Sequence, residues 1–236
     1  KGLFESTKPR HALMFNKELK GRKVQDTFKE SHILCTMCEK RIEVIETLFS
    51  KIIDDIHNYE KHPNKFTLGR LGTQDFINCN DLNPVLYKLF LYSLVWRASI
   101  SGLYECEPFK LDSEAEEVIR VFLHKNLAKT KLLLLQNASS TREIPKYHSC
   151  IIKPIVKANY SRGILSITSM SKTAHALFLI DFAIFFYTDE TSVGNVLIHY
   201  SNKENENVIV ALGRVQAWIE LNQMFVTKMV NINKGA

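Results

Sequence analysis

The feature that most constrains this 236-residue chain is a helix-length run with no polar face. Asn83-Pro84 joins a capping side chain to a proline suited to a first helical turn. The run that follows, Val85 to Ile100, is apolar almost all round. An amphipathic helix lies on a core, but a helix without a wet side lies inside one. This segment is therefore predicted to be the buried central helix, with the rest of the chain packed around it.

The flanking patterns supply that packing. Ile42, Ile45, Leu48, Phe49, Ile52, Ile53 and Ile56 recur at three- and four-residue steps, one stripe of a helix that starts at Glu39 and ends near His57–His62, before Pro63. Residues 63–82 are polar with Gly69 and Gly72 and read as a loop. Ser113-Glu114-Ala115-Glu116 has the form of a capping box, opening a helix with Val118, Ile119, Phe122 and Leu123 inward, and Lys129 to Gln136 extends into a further short helix. After Pro145 the character changes. Cys150–Val156, Gly163–Thr168, Leu177–Tyr187, Val196–Tyr200, Val208–Leu212 and Val215–Val226 are rich in Val, Ile, Phe and Tyr and read as strands. Helices first and strands later predict an α+β fold: an N-terminal helical part carrying a CxxC knuckle, and a C-terminal, mainly antiparallel sheet. The organisation expected is a basic arm over 1–30, a knuckle and helical part over 31–144, and a β-rich part over 145–236 that forms one unit with the helices.

Charge and cysteine usage narrow the setting. Residues 1–30 hold eight cations against four acids, so most of the chain's net +6 sits there. Such an arm either contacts phosphate, with Arg22, Lys23 and Lys29 as the candidate residues, or is a solvated leader. Five irregularly spaced cysteines do not form a disulfide framework, which points to a reducing, cytoplasmic location. The longest apolar run, Ala174–Tyr187, is interrupted by Asp181 and falls short of the roughly 20 residues a membrane helix needs, so no membrane partner is expected.

Cys35 and Cys38 stand as CxxC after an apolar approach, Ile33-Leu34. Two cysteines at this spacing suit one tetrahedral zinc ion, which takes four ligands, so the pair is half of a site. The competing readings are a redox dithiol and two buried free thiols. Cys79, Cys106 and Cys150 are isolated, and His32, His57 and His62 lack the spacing of a second pair.

The residues around the pair resemble a known family. Arg22-Lys23-Val24-Gln25-Asp26 with Lys29, then Leu34-Cys35-Thr36-Met37-Cys38-Glu39, then Glu43 and Glu46-Thr47-Leu48-Phe49, are similar in order and spacing to a bacterial family. That family also carries an S-x-x-W-R-x-S helix, matched here by Ser93 to Ser99 with Trp96 and Arg97. The likeness covers residues 20–105. Members resemble HNH-type zinc nucleases: an earlier CxxC precedes a Ser-His-Ile-Ile-Pro-like run, whose histidine is catalytic or binds metal, and the second CxxC follows. The resemblance thus implies zinc at Cys35 and Cys38, a catalytic divalent metal, nucleic acid as partner, and a role in phage defence. In HNH-type sites a histidine activates water while a metal ion stabilises charge on the phosphate. This chain departs from the pattern. Its His32 abuts the cysteine pair, and His11 lacks the flanking isoleucines and proline. Either the segment lies before Lys1 or it is lost, and the 236 residues are expected not to cut DNA or RNA. The alternative is a non-catalytic module that binds a protein partner, or a subunit of a larger defence or effector complex.

The remaining residues have structural expectations. Trp96 is expected to be buried. Arg97 either binds a phosphate or carboxylate, or pairs with a structural acid. Gln25 and Asp26 hold the cysteine loop by hydrogen bonds. Glu39 and Glu43, one turn apart, either share a divalent ion or form a solvated helix face.

Overall fold

Helix α2 (Pro84–Ile100) occupies the centre, and Leu89, Leu91, Tyr92, Ser93 and Val95 on it are all inaccessible to water. Asn83 caps it, its side chain accepting from the Val85 amide at 2.8 Å, and Pro84 opens its first turn. The computed structural model describes residues 12–15, 21–24, 33–101, 109–155, 165–179, 182–194, 197–202 and 207–234. Around α2 pack α1 (Thr36–His57), α3 (Ser113–Asn126) and α4 (Lys131–Ser140). Phe49 of α1 stacks on Phe90 of α2 with ring centroids 4.3 Å apart, which fixes the stripe of α1 onto the central helix.

The helices cover one face of a mixed, mostly antiparallel seven-stranded sheet. It comprises β3 (Phe66–Leu71), β4 (Gln74–Cys79), β5 (His148–Pro154), β6 (Leu165–Ser169), β7 (Ala174–Leu179), β8 (Phe182–Tyr187) and β9 (Val208–Gly213), in the order β3-β4-β9-β5-β8-β7-β6. Only the β5–β9 pair is parallel among these ladders. A separate hairpin joins β1 (Ala12–Phe15) to β2 (Gly21–Val24). Strand β8 shows why the fold needs a third layer. Phe182, Ile184 and Phe186 belong to the core under α1–α4, while Ala183, Phe185 and Tyr187 belong to a second core on the opposite face. Trp218 and Leu221 of α5 (Val215–Lys234) pack against that second core.

The α+β class stands, and five local expectations are corrected. Residues 63–82 are not a loop. They form the β3–β4 hairpin, which joins the sheet beside β9, so the segment before residue 145 supplies two of its strands. Strand β3 lies at the sheet edge, with Leu68 and Leu71 exposed, and therefore lacks the apolar signature of a buried strand. Gly72 makes the two-residue turn at φ 59°, and Gly69 leaves room for the Phe76 ring, which an added Cβ would meet at 2.3 Å. Val215–Val226 is not a strand but the start of α5. Its half-buried residues, Val215, Trp218, Ile219, Leu221 and Asn222, follow helical steps. Leu197–Tyr200 is a 3-10 turn, not a strand. Leu177–Tyr187 is no single strand but parts of β7 and β8. At α3 the cap is Asp112, whose carboxylate accepts from the Ala115 amide at 2.8 Å; Glu116 instead accepts from the Ser99 hydroxyl at 2.7 Å.

Polar pins hold α2 to the sheet. Lys88 is 1% exposed, and its ammonium donates to the carbonyls of Tyr147 and Asn202. Tyr87 Oη lies 2.8 Å from Ser149 Oγ, and Tyr92 Oη donates to the Pro145 carbonyl at 2.7 Å. Burial pushes the Lys88 amine down to about 7. In the unfolded chain it keeps the ordinary lysine value near ~10.4, so between these limits the unfolded state holds more protons and Lys88 makes stability rise with pH. Burial also pushes Cys79 and Cys150 up to about 12, which opposes that trend, so the difference between two proteins is the clean readout. In urea melts from pH 7 to pH 9.5, wild type should gain stability relative to Lys88→Met. Parallel curves for the two proteins would contradict the buried-amine assignment.

Candidate functional site

Cys35 is the N-cap of α1, with extended backbone at φ −69° and ψ 152°. This start lies three residues earlier than the sequence pattern suggests. The Cys35 carbonyl accepts from the Cys38 and Glu39 amides at 2.9 and 3.0 Å, and the Cys35 sulfur accepts from the Cys38 amide at 3.4 Å. A cysteine thus does the work usually given to Ser, Thr, Asp or Asn. The turn brings the two Sγ atoms to 3.3 Å. Cys35 is exposed and Cys38 half-buried. Leu34 packs back onto the core and anchors the turn.

The two thiols differ in acidity. The Cys38 amide, then the Cys38 side chain, hydrogen bond to Cys35 and lower its pKa from the ordinary thiol value. Cys38 moves the other way: its hydrogen bond to Cys35 and its partial burial raise it, against the pull of the nearby Arg41. Arg41 Nη1 donates to the His124 carbonyl at 3.5 Å, which ties the start of α1 to the end of α3. The pair has the chemistry of a two-thiolate metal ligand and equally of a dithiol able to close on itself.

The other sequence candidates divide around this pair. His57 and His62 are at the far end of α1, whose 22 residues span about 33 Å, so neither joins Cys35 and Cys38 around one ion. His57 lies against Phe182, and His62 Nε2 sits 3.5 Å from Asp55. Cys79 and Cys150 are buried, and Cys150 donates to the Leu197 carbonyl at 3.1 Å. Glu39 and Glu43 are exposed on α1, and among the described residues no three His, Cys, Asp or Glu side chains gather to hold a metal. Arg97 pairs with Glu46, and its Nε donates to the Ser93 carbonyl at 3.2 Å. Trp96 is half-buried, not fully buried, and packs against the core at the periphery of α2. Arg22 and Lys23 lie on β2, opposite Met14 and Leu13. Gln25, Asp26, Lys29, His11, His32 and Cys106 lie outside the described residues.

One set of residues escaped the sequence reading. Arg41 and the end of α3 meet only in three dimensions, so no motif announces them. The signal present in the sequence was the absence of any acid between Glu117 and Glu143.

Comparison of the chain with family models, curated proteins and solved structures yields no match. Among the described residues, no helix is long and apolar enough to cross a membrane.

The thiol geometry makes a direct prediction. In native protein, iodoacetamide should modify Cys35 first, beginning at a lower pH than for Cys38, while Cys79 and Cys150 stay unmodified. Peptide mass spectrometry over a pH series reads each site. Modification of Cys79 as fast as Cys35 would show that the packing around β4 is wrong.

Proposed function

We propose that this is a zinc-binding, HNH-nuclease-like protein that acts on nucleic acid, with Cys35 and Cys38 supplying two of the zinc ligands. The observation that supports it is the convergence of both sulfurs, 3.3 Å apart, at the exposed start of α1. Two thiols, one of them acidified, are the donor chemistry zinc selects. They are half of a tetrahedral set. His11, His32 and Cys106 have suitable donors and lie outside the described residues. Zinc held there would staple the start of α1 to the ligands' own segments. The chain's own contribution is a preformed two-thiol turn, locked by the Cys35 carbonyl and oriented by Leu34. A catalytic divalent metal and a cytoplasmic role in phage defence belong to this reading through the sequence resemblance alone.

A second reading, the non-catalytic interaction module, has its own observation. Leu132, Leu133 and Leu135 on α4 are 69%, 47% and 36% exposed, and such neighbouring leucines suit a protein partner or a place in a larger complex.

Metal analysis of the full chain purified without chelator tests the first reading. One zinc per chain is expected, falling below a tenth of that in the Cys35→Ser/Cys38→Ser double variant. Zinc-free wild-type protein, or zinc retained by the double variant, would remove the cysteine pair from the metal site. A nuclease assay with Mg²⁺ or Mn²⁺ then separates the readings. Cleavage by the chain, or by a version extended to the native start, supports the enzyme, and zinc binding with cleavage by neither favours the module.

A further inference from the structure

We infer that Cys35 and Cys38 form a redox dithiol that closes to a disulfide by exchange with the disulfides of small thiols. The inference shares the pair with the zinc reading but does not rest on it. Capping geometry builds the pair. Cys35 is the N-cap of α1, with extended backbone, and an N-cap side chain turns back over the amide three residues on. That residue is Cys38. The Cys35 sulfur that caps its amide at 3.4 Å is thereby carried to within 3.3 Å of the Cys38 sulfur. A zinc ion with Zn–S bonds of about 2.3 Å would hold two tetrahedral sulfur ligands roughly 3.8 Å apart. The turn by itself brings the sulfurs closer than zinc would, toward the bond of about 2.0 Å that closure makes.

Exposure assigns the roles. Cys35, Thr36 and Met37 are exposed, whereas Cys38 is half-buried on the first turn. An incoming small disulfide, RSSR, therefore meets Cys35 first. Cys35 Sγ gives its proton to water and attacks one sulfur of RSSR. The S–S bond of RSSR breaks, a Cys35–SR bond forms, and the departing RS⁻ takes up a proton and leaves as RSH. Cys38 Sγ, already beside it, then gives up its own proton and attacks Cys35 Sγ. The Cys35–SR bond breaks as the Cys35–Cys38 bond forms, and a second RSH leaves. The two protein thiols lose two hydrogens with their electrons, and RSSR gains them. Among the described residues the other cysteines, Cys79 and Cys150, are 0% exposed, so they do not compete for the mixed disulfide. Zinc takes cysteine as thiolate, so under the zinc reading closure removes two ligands and releases the ion.

The test uses the full chain, treated with chelator and then with oxidised glutathione, quenched in acid and read by peptide mass spectrometry. In wild type the peptide holding both cysteines should become lighter by two hydrogens and keep no glutathione, and dithiothreitol should restore it. Cys38→Ser lacks the second sulfur and should stop with one glutathione on Cys35. Cys35→Ser should react roughly tenfold more slowly than Cys38→Ser, since its remaining thiol is half-buried. Wild type that keeps glutathione on Cys35, or that stays reduced under conditions that modify Cys38→Ser, would overturn the inference. Equal rates in the two single variants would overturn the assignment of Cys35 as the entry point. Zinc content, measured on the same preparation before chelation, keeps the two readings apart. A chain that holds zinc and never closes loses this inference alone, and one that closes and never holds zinc loses the zinc reading alone.

Discussion

Helix α2 can be buried along most of its length because Tyr87, Lys88, Tyr92 and Ser93 on it find partners inside. Lys88 is the severest case. An ammonium out of water is costly unless its protons are taken up, and the Tyr147 and Asn202 carbonyls accept from it. Those two acceptors flank β5 and β9 from different parts of the chain, so one side chain fixes the helix against the sheet centre. Tyr87 to Ser149 and Tyr92 to the Pro145 carbonyl repeat the device on either side. Hydrophobic burial alone would leave α2 free to slide or rotate, since it has apolar residues in every direction. Directional bonds give it one position.

The positions of the other elements follow from that one. Phe49 on Phe90 sets α1 against α2, and the Arg97 pairing with Glu46 ties the two helices again near the C-terminal end of α2. With α1 fixed, its first turn projects the Cys35–Cys38 pair at the surface, and Arg41 reaches the end of α3. The site is thus mounted on a rigid helix whose other end is about 33 Å away. The same packing leaves Leu132, Leu133 and Leu135 of α4 facing outward.

The second core explains an asymmetry in the sheet. Its central strands β5, β8 and β9 are buried on both faces, whereas β3 at one edge is largely exposed. A sheet with helices on one side only would leave Phe185 and Tyr187 in water. Helix α5 contributes Trp218 and Leu221 to the layer that covers them.

Sequence alone determined the elements whose pattern is local. The wrap-around apolar run of α2, the stripe of α1, the Asn83-Pro84 start, and β5, β6 and β9 were legible because periodicity and capping act over a few residues. The cysteine pair was legible for the same reason, its spacing being short. Tertiary structure decided the rest. Strand β3 looks like a loop because an edge strand need not be apolar, and it becomes a strand only by pairing with β4. Helix α5 looks like a strand because its Val, Ile and Phe favour extended backbone, yet Trp218 and Leu221, three residues apart, both pack on the second core. The polarity of Lys88 gave no warning of burial, since its carbonyl partners lie 59 and 114 residues away. The contact of Arg41 with the His124 carbonyl, 83 residues away, exists only once α1 and α3 have met, because groups far apart in sequence come within reach of one another only after packing has brought their helices together.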